Sequence, residues 1–178
     1  MNKFPHAAEI LNVYKDQAEA LVNLHFARKS LGTDKKSRFY GLSIDAIEDR
    51  LEGNRNELDL WAVMMMAASF EATIRKDAEN RISTRTRDVF RKPLRNLFET
   101  FPDRVRLIDI LCVWESRMGM AAALKTEIRR LLKHRHWLAH GRHWCNKHGL
   151  LPGPEDAWGS FDDYIQALQV IAPDFPRL

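Results

Sequence analysis

The chain is most informative at first through what it has little of. Its 178 residues include only two cysteines, Cys112 and Cys145. Two isolated thiols form no framework of paired spacings, and nothing else suggests an oxidising compartment, so both are expected to be free. Long hydrophobic runs are missing: the longest apolar stretch, Trp61 to Phe70, is about half of the ~20 residues that span a bilayer. The N-terminus, Met1-Asn2-Lys3-Phe4-Pro5-His6-Ala7, has none of the roughly 7 to 15 consecutive apolar residues of a secretory signal. No segment alternates with a strand's period, and no internal repeat, low-complexity tract or Pro/Ser-rich linker interrupts the chain. These absences argue against a disulfide scaffold, a membrane-spanning chain and a sheet-built fold. With 45% hydrophobic and 29% charged residues, the expectation is one cytoplasmic all-α domain over residues 1–178.

Apolar residues do recur at helical spacing. Ile10, Tyr14, Ala18 and Leu21 form one stripe, Leu58, Trp61, Met65 and Ala68 a second, and Leu107, Leu111, Trp114 and Met118 a third. The pattern predicts a first helix from Pro5 to Ser30, a basic loop through Lys35 and Lys36, and a short helix capped near Ser43. A long helix follows over 54–81, with Asn54 and Glu57 in capping-box register. Residues 85–100 read as helix on either side of Pro93, whose ring and missing N–H predict a break or kink. A further helical stretch starts at Pro102, bends near Gly119 and ends at Gly141. Gly149 to Pro154 reads as a turn that opens a last helix reaching Ile171.

The net charge of +4 is modest, but it is unevenly placed. Between Lys125 and His143 six basic residues (Lys125, Arg129, Arg130, Lys133, Arg135, Arg142) stand against Glu127 alone, a local +5. Such a stripe attracts polyanions. A similar run over 81–95 reads more simply as a solvated helix face. Five of the seven histidines also fall between His134 and His148. Extending the apolar stripe of the preceding helix through Ala121, Leu124, Ile128, Leu131 and Leu138 puts Arg135 on the face that should be buried. A guanidinium there needs a partner: either it is salt-bridged to a core carboxylate or it serves a cleft. Arg135 and His140 are five residues apart, about 140° on a straight helix, so they share a site only if the helix end or a two-fold contact brings them together. The residue types suit phosphodiester chemistry. A planar, always-charged guanidinium grips phosphate oxygens in two places, and imidazole as a group gives or takes a proton near neutrality.

The string Arg135-His136-Trp137-Leu138-Ala139-His140-Gly141 resembles the signature of HEPN domains, an arginine followed by a polar residue and then a histidine within Leu-Ala-His-Gly. Arg142-His143-Trp144 and Pro154-Glu155-Asp156 add to the likeness. The resemblance implies an up-and-down helical bundle with a long motif-bearing helix, dimerising so that two motifs line one cleft, and a metal-independent endoribonuclease. Arg135 would then hold the scissile phosphate, His140 would act on the 2′-hydroxyl or the leaving oxygen, and His136 would support the site. Lys133, Arg142 and Arg130 would hold the RNA, with no cofactor. Members of the family serve as toxins, phage-defence effectors and RNA processors. Others only bind RNA, so a catalytically silent adaptor for RNA or protein, or one half of a toxin–antitoxin pair, stands beside the nuclease.

Glu71, in line with Met64, Ala67 and Ile74, borders a core face. It either orients Arg135 or a nearby histidine, or it pairs with Arg75 within its own helix. His143, Cys145 and His148 are zinc ligands by residue type, but their spacing fits no strong template and no metal is expected. Trp137 and Trp144 either stack on bases or pack into the core, and Met64-Met65-Met66 reads as core.

Overall fold

The computed structural model describes residues 6–84, 89–102, 104–117, 119, 121–140 and 152–176. Among them every regular element is an α-helix: α1 (Ala7–Phe26), α2 (Arg28–Leu31), α3 (Ile44–Ser83), α4 (Arg91–Thr100), α5 (Leu107–Glu115), α6 (Ala122–Ala139) and α7 (Pro154–Ile171). No described helix is long and apolar enough to cross a membrane.

Helix α3 is the axis on which the others rest, in contact with α1, α2, α4, α5, α6 and α7. Its 40 residues make a rod of roughly 60 Å. Ser43 starts it as expected, its hydroxyl accepting from the Ala46 N–H at 3.2 Å. No second start occurs at Asn54. The helix runs through because its early turns have something to bury: Ile47 and Leu51 close a small core with Phe39, against Leu21, Leu24 and Leu31. Gly41, at φ +81°, makes the turn leading into this core and donates to the Gly32 carbonyl at 3.0 Å.

Farther along α3, Val63, Met66, Phe70 and Ile74 lie in the main core with Ile10 and Tyr14 of α1, Ile128 and Leu131 of α6, and Phe161 and Tyr164 of α7. Each such side chain contributes about 1.5–3 kcal/mol by leaving water. Phe70 stacks on Phe161 with ring centroids 4.8 Å apart. Of the methionine run, Met66 is fully buried and Met65 packs partly buried against the core, while Met64 is not part of it.

Two helix boundaries differ from expectation for clear reasons. Pro93 kinks nothing: it is the third residue of α4, in the first turn, where an N–H has no intrahelical partner to lose. The stretch expected to run from Pro102 with a bend near Gly119 is two helices, α5 and α6. The Arg129 guanidinium reaches the Glu115 carboxylate at 2.5 Å, whereas a continuous helix would separate those residues by about 21 Å along its axis. The break lets α6 turn back to pack on α3 and α7 with Arg129 still reaching Glu115, and Tyr164 of α7 donates to the same carboxylate at 3.2 Å.

The basic run over 81–95 is not one face. Arg81 is buried between Asp77 (2.8 Å) and Asp174 (3.0 Å), over the Trp114 ring, while Arg95 pairs with Glu99 at the surface. Arg85 and Arg87 lie outside the described residues. Helix α7 starts at Pro154, as predicted, with Gly153 as its cap.

Candidate nucleic-acid interface

Helix α6 presents Arg129, Leu132, Lys133 and His136 to one cleft. Their spacing, i, i+3, i+4 and i+7, is that of a single helix face. His140 continues the same face one turn on. It forms the C-cap of α6, its N–H donating to the His136 carbonyl at 3.2 Å. The two imidazoles meet edge to face, with centroids 4.2 Å apart. His136 therefore stands between Arg135 and His140 and bridges the angle that separates them on the helix. The cleft lining includes Arg135 and His136 but not His140.

Arg135 sits at the margin of this face. Its side chain is 36% exposed, and the fully buried position on α6 belongs to its neighbour His134. The stripe of Ile128 and Leu131 thus continues through His134, and Arg135 turns towards α3. There its guanidinium lies 3.3 Å from one Glu71 oxygen, while the other oxygen accepts from Arg75 Nε at 2.8 Å. Glu71 thus meets both Arg135 and Arg75 with one carboxylate. Arg75 also donates to the Val105 carbonyl at 3.0 Å, tying α3 to the segment before α5. Three elements are held together at the wall of the cleft: α3, residues 104–108 and α6.

The cleft encloses about 840 Å³. Its charged lining is Arg75, Arg104, Arg106, Arg129, Lys133 and Arg135 against Glu71. Asp109 neutralises Arg106 and Glu115 neutralises Arg129, which leaves six cations to three carboxylates, a net +3. Arg106 holds the Asp109 carboxyl below its ordinary range. Burial, and next the Glu115 charge, push the Tyr164 hydroxyl up. Val105, Leu107, Ile108 and Leu132 give the cleft an apolar floor. A positive rim over such a floor suits an anion that carries an apolar body, as a nucleotide does.

The chain matches none of the family models, curated proteins or solved structures with which it was compared.

Of the residues singled out by sequence, the structure brings Arg135, His136, Lys133 and Glu71 to the cleft, with His140 against His136. Arg130 is not among them. It makes two hydrogen bonds to Glu127, at 2.8 and 2.6 Å, and holds that carboxyl below its ordinary range. Arg142, His143, Trp144, Cys145 and His148 lie outside the described residues, as does Gly141. Among the described residues no cluster of metal-ligating side chains occurs, and Cys112 is an exposed free thiol. Sequence reasoning missed Arg75, Arg104, Arg106 and Arg129 as cleft residues. Arg129 could have been found from its place on the His136 face. Arg104 and Arg106 carry no such signal, because only the break between α5 and α6 brings them there.

Proposed function

We propose that the protein is a metal-independent endoribonuclease of the HEPN type, acting as a homodimer with the motif-bearing cleft at or near the two-fold interface. The observation that carries this reading is the adjacency of Arg135 and His136 on one net-positive cleft, with His140 touching His136. In this mechanism the Arg135 guanidinium grips the non-bridging oxygens of the scissile phosphate. The 2′-hydroxyl loses its proton to an imidazole and its oxygen attacks phosphorus. The P–O5′ bond breaks, the leaving oxygen takes a proton, and the products carry a 2′,3′-cyclic phosphate and a 5′-hydroxyl. His140 and His136 carry the two proton transfers. Positioned acid–base help is worth about 10²–10⁴ in rate, and Arg135 adds charge stabilisation in the transition state. A role as a toxin or phage-defence effector, held in check by an antitoxin protein, fits this activity.

A second reading, an RNA-binding adaptor without activity, is favoured by one observation: His140 is not among the residues that line the cleft. Mixed RNA incubated with the protein in EDTA separates the two. The nuclease reading expects cleavage that Arg135→Ala and His140→Ala each reduce at least about a hundredfold. Cleavage that survives both substitutions, or needs added metal, refutes the mechanism. Binding without cleavage selects the adaptor.

A further inference from the structure

We propose that the cleft holds two consecutive phosphates of one RNA strand, the scissile one at Arg135 and His136 and its neighbour at a second subsite made by Arg104 and Lys133. The proposal rests on the nuclease reading for the first position, while the second stands on its own geometry. Most cations around the cleft are already engaged: Arg75 and Arg135 share Glu71, Arg106 holds Asp109, and Arg129 holds Glu115. Arg104 and Lys133 are exposed, line the same cleft and have no ion pair among the described residues. They come from different elements, Lys133 from α6 and Arg104 from the segment ahead of α5. Together they bring two charges without an ion pair among the described residues to one cleft from two elements.

On α6, Lys133 lies one turn before His136 on the same face, a rise of roughly 4.5 Å, and Arg104 enters the cleft from a second element. Val105, Ile108 and Leu132 lie in the same lining and offer an apolar surface to the sugar and base that join the two phosphates. A phosphate, rather than a neutral amide, matches this pair, because a guanidinium and an ammonium both select for negative charge and a phosphate offers oxygens to each. Glu71, the one carboxylate in the lining, is already shared by two guanidinium groups.

The test uses the full chain and a 12-nucleotide DNA strand bearing one ribonucleotide, which fixes the scissile position. Neutral methylphosphonate linkages are then placed one at a time on either side. Neutralising the adjoining linkage on one side only is expected to lower kcat/KM about tenfold, the size of one lost charge-assisted hydrogen bond. Arg104→Ala and Lys133→Ala, with unchanged melting temperature, should show that loss on the normal strand and little further loss on the neutralised one. Equal losses on both sides, or substitution and neutralisation losses that simply multiply, overturn the subsite. If the strand is not cut at all, the nuclease reading falls, and the subsite is read by binding of the all-DNA strand. Each substitution should then flatten the slope of log affinity against log salt by about 0.7. Unchanged slopes overturn it.

Discussion

Glu71 offers the sharpest test of how the cleft is built. Its carboxylate is 19% exposed and, among the described residues, meets both the Arg75 Nε and the Arg135 guanidinium. Replacing it with glutamine keeps the shape and one acceptor oxygen but removes the charge that lets two cations lie side by side. A charge-assisted hydrogen bond to a partly buried group is worth about 1.5–3 kcal/mol, and exposed pairs contribute under about 1 kcal/mol. Arg75 and Arg135 are each 36% exposed, and the Arg135 contact is the longer, so a loss of about 1–2 kcal/mol is expected. In a chain of this size that lowers the melting temperature by about 2–8 °C. Because Arg135 also loses its tether, the proposed nuclease mechanism expects RNA cleavage by Glu71→Gln to fall in kcat more than it rises in KM, whereas a purely structural carboxylate would change melting alone. A double-mutant cycle with Arg75→Gln should give a coupling of at least about 0.5 kcal/mol. Unchanged melting and unchanged activity in Glu71→Gln would remove Glu71 from the site.

Two further outcomes bear on the framework. Arg81→Met leaves the Asp77 carboxylate buried without its guanidinium and should cost about 3–5 kcal/mol, whereas Asp174→Asn, at a carboxylate that is 75% exposed, should cost under about 1 kcal/mol; chemical denaturation of the two variants makes the comparison, and equal costs would show that Arg81 is not a buried anchor. The Glu127 carboxyl is depressed in the folded chain by its hydrogen bond to Arg130, so its contribution is present above the ordinary carboxylate range near about pH 4–5 and is lost as the pH falls through the lower folded value. Melting followed from pH 6 downward should fall less steeply in Glu127→Gln, and parallel acid limbs would exclude this linkage.

The helical character of the chain was legible because apolar residues recur at 3.6-residue spacing, but phase and breaks were not. Around Trp61 to Phe70 nearly every residue is apolar, so the sequence does not say which line faces inward. The buried line runs through Val63, Met66, Phe70 and Ile74, and Trp61 is 37% exposed. Asn54 and Glu57 satisfy a capping pattern, yet the packing of Ile47 and Leu51 carries the helix straight through them. On α6 the stripe through Ile128 and Leu131 continues equally well to residue 134 or 135, and the histidine takes the buried place. The α6 face of the cleft was therefore readable in the spacing of Arg129, Leu132, Lys133 and His136. The wall made by Arg75, Arg104 and Arg106 depends on how α3 and α5 meet α6, which is a tertiary outcome.

The single rod of α3 joins regions of unequal firmness. Near Ser43 its turns are secured by a cluster with three buried side chains among the described residues, while Glu71 and Arg75 are flanked by Phe70 and Ile74, which have no contact with solvent. Opening at the lightly secured end can therefore be a local event. The acidic clasp that holds Arg135 belongs to the tightly packed end, so loosening around Phe39 would leave the geometry of the Arg135 guanidinium undisturbed.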